Sequence, residues 1–81
     1  MRHGFESYWM STLRNNIRKS KEELLKDYNI NNDWEENHFI LKIFSYRVES
    51  FLFKYKGERE RNFIYKYLEF IYQAMEKTLD I

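Results

Sequence analysis

The chain has 81 residues, the length of one small domain, and a domain of this size buries only about 60% of the surface its unfolded form exposes. Lys plus Arg number 14 and Asp plus Glu 13, a near-balance that argues against an acidic nucleic-acid mimic and against a polybasic arm that coats phosphates. The absence of cysteine excludes disulfide staples, thiolate zinc sites and thiol nucleophiles, and it suits a reducing, cytoplasmic setting.

The sequence shows no repeat, low-complexity tract or linker, so residues 1–81 read as one helical domain. With no Pro and two Gly, the breaks must come from Asn, Asp and Ser. Two stand out, at Asn29-Ile30-Asn31-Asn32-Asp33 and around Gly57, and they leave three segments of helical length. The first runs from about Phe5 to Tyr28. At 100° per residue, Phe5, Trp9, Leu13, Ile17, Leu24 and Tyr28 fall within an arc of roughly 140°, with Arg14, Arg18, Lys21, Glu22 and Lys26 outside it. This is an amphipathic helix with one buried stripe. Ser20 and Glu23 fit a capping box, but the stripe stays in phase across them, so a single helix is expected.

The second segment spans about 33–56. Asp33 is the expected N-cap with Glu36 as its capping-box partner, and Gly57 the expected left-handed stop. One face carries Trp34, Ile40, Leu41, Phe44, Val48, Phe51, Leu52 and Tyr55; a second, partly opposed, carries Phe39, Ile43, Tyr46 and Phe53. The third segment spans about 58–79, with Glu58 and Glu60 in its first turn and Lys77 in its last, as the helix dipole favours. Its apolar arc is wider still, taking in Phe63, Ile64, Tyr65, Tyr67, Leu68, Phe70, Ile71, Tyr72, Ala74, Met75 and Leu79. The alternation of Phe51, Phe53 and Tyr55, and of Phe63, Tyr65 and Tyr67, also permits a β-hairpin. The helical series Phe63, Tyr67, Ile71, Met75, Leu79 outruns that pattern. The expected fold is all-α: a small three-helix bundle in which the second and third helices form an antiparallel hairpin and the first packs across them.

Catalytic chemistry has little to work with. His3 lies near the terminus, Ser45 and Ser50 sit mid-helix where their hydroxyls bond back to the backbone, and no glycine-rich phosphate loop exists. Glu35 and His38 have the three-residue spacing of di-iron bundles, but such a site needs a second pair and two more carboxylates. No enzyme activity, metal or cofactor is therefore expected. Leu24 to Asn31 has the spacing of a helix-turn-helix corner, with Asn29 where a left-handed residue is wanted. The helix that would enter a DNA groove opens on Asp33, Trp34, Glu35 and Glu36, and phosphates repel those carboxylates. An ordinary helix corner fits better. Basic residues do gather on the first helix, at Arg14, Arg18, Lys19 and Lys21, which makes a small dimeric nucleic-acid-binding regulator the alternative function.

The strongest signal is the aromatic surplus: seven Phe, seven Tyr and two Trp, 20% of the chain. Phe39, Tyr46 and Phe53 on the second helix, and Tyr65, Leu68, Tyr72 and Leu79 on the third, project away from the arcs that a three-helix core would use. Tyrosine buries its ring while its hydroxyl stays wet, and interfaces are enriched in it. An apolar patch of this extent marks an association surface. The expected function is thus a non-enzymatic protein-interaction module, an adaptor, inhibitor or regulator of a larger protein, with self-association as a homodimer through the second and third helices. Phe, Tyr, Ile, Asn and Lys make up 36 of the 81 residues, a bias towards A/T-rich codons that suits a phage or mobile element. The N-terminus shows no secretory pattern. The most apolar window, 39–53, holds Lys42, Arg47 and Glu49 and is too short to cross a membrane.

Overall fold

The computed structural model describes residues 7–79. Three helices account for most of them: α1 (Tyr8–Asp27), α2 (His38–Ser50) and α3 (Glu58–Leu79). One-turn 3-10 segments at Trp34–Glu36 and Phe51–Phe53 flank α2, and no strand occurs among the described residues. The hairpin reading of Phe51–Tyr67 therefore gives way to helices. α2 and α3 pack most closely, as an antiparallel hairpin, and α1 lies against both. The body is elongated, 49 × 24 × 23 Å. The expected start of α1 at Phe5 falls outside the described residues, as do His3 and Asp80.

α1 is one uninterrupted helix, so Ser20 begins no new one. Ser7 caps its start, accepting from the Met10 amide at 3.0 Å. The buried stripe is Met10, Leu13, Ile17 and Leu24. Met10 takes the inward place that the wheel gave to Trp9, and Trp9 and Tyr28 are exposed. At 100° per residue Met10 lies about 20° from Ile17 on the wheel, whereas Trp9 lies about 40° outside Leu13 at the opposite edge, so a regular helix turns the smaller thioether inward. Trp9 is left edge-on to Tyr8 and Tyr55, with ring centroids 5.2 and 6.3 Å away. Asn29 ends the helix in the left-handed region at φ 57°, as its position suggested, because its short polar side chain tolerates that conformation.

The second segment departs from expectation at both ends. Asp33 makes no side-chain cap. The true N-cap of α2 is Asn37, whose Oδ1 accepts from the Ile40 amide at 3.1 Å. The 34–36 turn instead seats the Trp34 ring edge-on to Phe44, centroids 5.9 Å apart, with the Lys21 ammonium 5.0 Å from its centre. At the other end α2 stops at Ser50, and Gly57 is not its left-handed cap. Gly57 instead opens α3, its carbonyl accepting from the Arg61 amide at 3.0 Å. Arg61 closes the second segment from outside by donating to the Leu52 carbonyl at 2.7 Å and the Tyr55 carbonyl at 3.4 Å. Ser45 and Ser50 bond back to the Lys42 and Arg47 carbonyls.

The core joins the α1 stripe to Ile40, Leu41, Phe44, Val48, Tyr55, Ile64, Leu68 and Ile71. Phe44 stands at its centre, edge-on to both Trp34 and Tyr67, the geometry that the ring quadrupole prefers. Tyr55, only 1% exposed, accepts a hydrogen bond at its hydroxyl from Asn16 Nδ2 at 2.6 Å. Among the described residues no buried side-chain nitrogen or oxygen lacks a partner, and no helix is long and apolar enough to cross a membrane.

Candidate functional site

The core claims one side of α2 and α3 and leaves aromatic rings on another. Helical geometry returns a residue to nearly the same direction every seven positions. On α3 this places Tyr65, Tyr72 and Leu79 in one stripe and on α2 Phe39 and Tyr46, with Phe53 in the 3-10 turn that follows α2. All six are exposed, Phe53 at 83% and Tyr65 at 49%. Where the hairpin's two helices meet, Phe53, Tyr65 and Tyr72 surround a groove of about 510 Å³. Leu52 and Leu68 also line it, and Glu49 and Glu69 are its charged members. This groove lies on the opposite side of the hairpin from the cleft that Phe63 and Tyr67 share with α1.

Of the seven residues expected at an interface, Leu68 needs correction as an exposed contact. It is 5% exposed and belongs to the core, because its direction on α3 lies between Tyr65 and the fully buried Ile64 and Ile71. It reaches the groove as floor rather than as wall. Phe39 stands apart from the groove, edge-on to Tyr28 with centroids 5.5 Å apart, and Leu79 lies at the far end of α3. Tyr46 adjoins the groove through Tyr72, whose ionisation it opposes.

The groove's electrostatics centre on Tyr72. Its hydroxyl donates to Glu49 Oε2 across the seam. That bond holds only while the phenol keeps its proton, so Glu49 pushes the Tyr72 pKa up to about 12, with desolvation adding to the shift. Arg61, at the groove's end, donates to the Tyr65 hydroxyl at 3.4 Å with the guanidinium nitrogen not used on the backbone. Sequence reasoning missed Glu49 and Glu69. They lie outside the apolar stripes, and their spacing carries no signal until the two helices are docked.

The basic residues of α1 divide between two sides. Arg14, Arg18 and Lys21 line a shallow cleft with Phe63 and Tyr67, whereas Lys19 lies on the other flank with Lys54 and Phe51. Arg18 pairs with Glu22 at 3.1 Å, and Lys21 sits over Trp34. Burial raises the Tyr67 pKa, with the Glu35 carboxylate adding to it.

Glu35 and His38 do not share a helix, since Glu35 belongs to the preceding 3-10 turn. His38 Nδ1 instead hydrogen-bonds Thr78 Oγ1 at 2.8 Å, tying the start of α2 to the end of α3. Among the described residues no three His, Asp or Glu side chains gather as a metal site would require. Compared with protein-family models, curated proteins and solved structures, the chain matches none of them.

Proposed function

We propose that the chain is a non-enzymatic protein-interaction module, an adaptor, inhibitor or regulator of a larger protein, that works through the outer face of the α2–α3 hairpin. One observation carries this reading. Phe53, Tyr65 and Tyr72 are exposed together around a single groove rather than scattered singly, as isolated surface apolar residues ordinarily are. The groove runs between two helices of a packed hairpin, so its walls are held in place before any partner arrives. Pre-ordering of this kind lowers the entropy cost of association.

Site-specific photo-crosslinking in cells of the source organism tests the reading. A crosslinker at position 53 or 65 is expected to give a discrete adduct with another protein. The same group at Asn15, on the α1 side, is expected to give none. Equal adducts at all three positions, or none at 53 and 65, would overturn it.

The nucleic-acid alternative draws on the cleft where Arg14, Arg18 and Lys21 meet Phe63 and Tyr67. It is the weaker reading, because Lys19 points elsewhere and Arg18 and Lys21 already have partners within the chain. Under it, replacing Arg14, Arg18 and Lys21 by Gln would weaken binding to nucleic acid and flatten its dependence on salt.

A further inference from the structure

The occupant's chemistry can be read from the groove's charges. The chain as a whole carries a net charge of +1, yet both charged residues lining this groove are acids, Glu49 from α2 and Glu69 from α3. Each of the two helices that border the apolar groove thus contributes one carboxylate. Glu76, seven residues past Glu69, continues the same stripe of α3 and is exposed. Lys42 holds the corresponding place before Glu49 on α2 but lies outside the groove. Arg61 is engaged with the Leu52 and Tyr55 carbonyls and the Tyr65 hydroxyl. Glu49 is also held in position by the Tyr72 hydroxyl, so one carboxylate is oriented in advance.

From this arrangement we propose that the α2–α3 groove receives a basic amphipathic helix of a partner protein. Its apolar stripe enters between Phe53, Tyr65 and Tyr72, and its Lys or Arg side chains meet Glu49 and Glu69. The inference rests on the reading of this face as a protein-binding surface and adds the class of partner. A helix laid in a groove is read through anchors at i, i+3 or i+4 and i+7. Tyr65 and Tyr72 stand two turns apart, about 10.5 Å along the axis, which matches the i to i+7 spacing of such a ligand. A second copy of this chain fits less well. A two-fold pairing through the same face sets two grooves of the same charge together and supplies neither with an added base. An anionic membrane surface likewise carries the groove's own charge.

The test uses the full 81-residue chain and three synthetic helical peptides of about 18 residues with one shared Leu/Phe stripe. Their flanking positions are Lys/Arg in the first, Gln in the second and Glu in the third. The basic peptide is expected to bind about tenfold or more tightly than the Gln peptide, to weaken as salt rises, and to shift amide resonances of residues 49–72. In the Glu49→Gln/Glu69→Gln double variant that advantage disappears while the Gln peptide binds as before. The amide oxygen that Glu49→Gln leaves at this position still accepts from Tyr72, so the fold is retained, and a circular dichroism spectrum checks this.

Equal binding of the basic and Gln peptides in the groove would overturn the charge assignment and leave the face a protein-binding surface. No binding by any peptide, or binding mapped to α1, would overturn the helix-in-groove inference, and the crosslinking result then decides the broader reading separately. A dimer through this face, dissociated by Tyr65→Ala, would overturn the inference in favour of a second copy.

Discussion

The Tyr72 hydroxyl donates to the Glu49 carboxylate across the seam between α3 and α2. A solvent-exposed phenol thereby links the two helices and also fixes one of the groove's charges. The contact has a sign that can be measured. Its folded-state pKa, about 12, lies above the ordinary 10.0, so the fold favours the protonated phenol. The stabilisation is fully present below pH 10 and is lost as pH rises through about 12. Titration followed at the Tyr72 Cζ resonance is expected to move back towards the ordinary value in Glu49→Gln. The stability difference between the native chain and Tyr72→Phe should shrink over the same window.

Exposed and buried members of the groove should separate under mutation. Tyr65→Ala removes a ring that is half in water, so its effect on folding stability is expected to stay within about 0.5 kcal/mol. As a contact for a partner it is expected to cost about 1–2 kcal/mol of affinity. Leu68→Ala opens a cavity in the core and is expected to cost about 2–5 kcal/mol of stability. Urea denaturation of the two variants checks the contrast.

The start of α2 gives a second pair. Asn37→Ala removes the side chain that satisfies the Ile40 amide and is expected to cost about 1 kcal/mol. Asp33→Ala removes no cap and should stay within about 0.5 kcal/mol. A larger loss for Asp33 than for Asn37 in thermal unfolding would restore the longer helix read from the sequence.

Much of the fold was legible because the helical period of the apolar residues is strong. Leu13, Ile17 and Leu24, then Ile40, Leu41, Phe44 and Val48, then Ile64 and Ile71 are core residues in the structure and sat on the expected stripes. Asn29 was legible for a different reason, as a residue type that tolerates the left-handed turn. The ends of the second segment were not. Asp33 and Asn37 are both competent caps, and the choice between them is made by Trp34 docking on Phe44, a contact 10 positions apart that no local rule contains. Gly57 misled because glycine after a helix usually signals a left-handed stop. Here the Glu60 carboxylate lies over its α-carbon, and Arg61 closes the preceding segment. The exposed rings were legible as a surplus, whereas the acids beside them emerged only when α2 and α3 were docked.

That Glu60 contact yields a further prediction. Glu60 is a buried carboxylate that accepts from the Ser7 hydroxyl at 3.0 Å, so the start of α1 is tied to the first turn of α3. A methyl group at position 57 would meet the Glu60 carboxylate. Gly57→Ala is therefore expected to destabilise by about 1 kcal/mol through loss of the Ser7 bond, although alanine is the better helix former. In a Ser7→Ala background the same substitution should cost less, and a double-mutant cycle in urea measures the difference.

A partner helix can enter the α2–α3 groove only if the groove is open in the free chain, uncovered by a second copy. Light scattering coupled to size-exclusion chromatography, over about a hundredfold range of concentration, tests this most directly. An open groove predicts that the native chain and Tyr65→Ala give the same mass throughout, 10.3 kDa if the chain is monomeric. A stable dimer of twice that mass that Tyr65→Ala returns to monomer would contradict it.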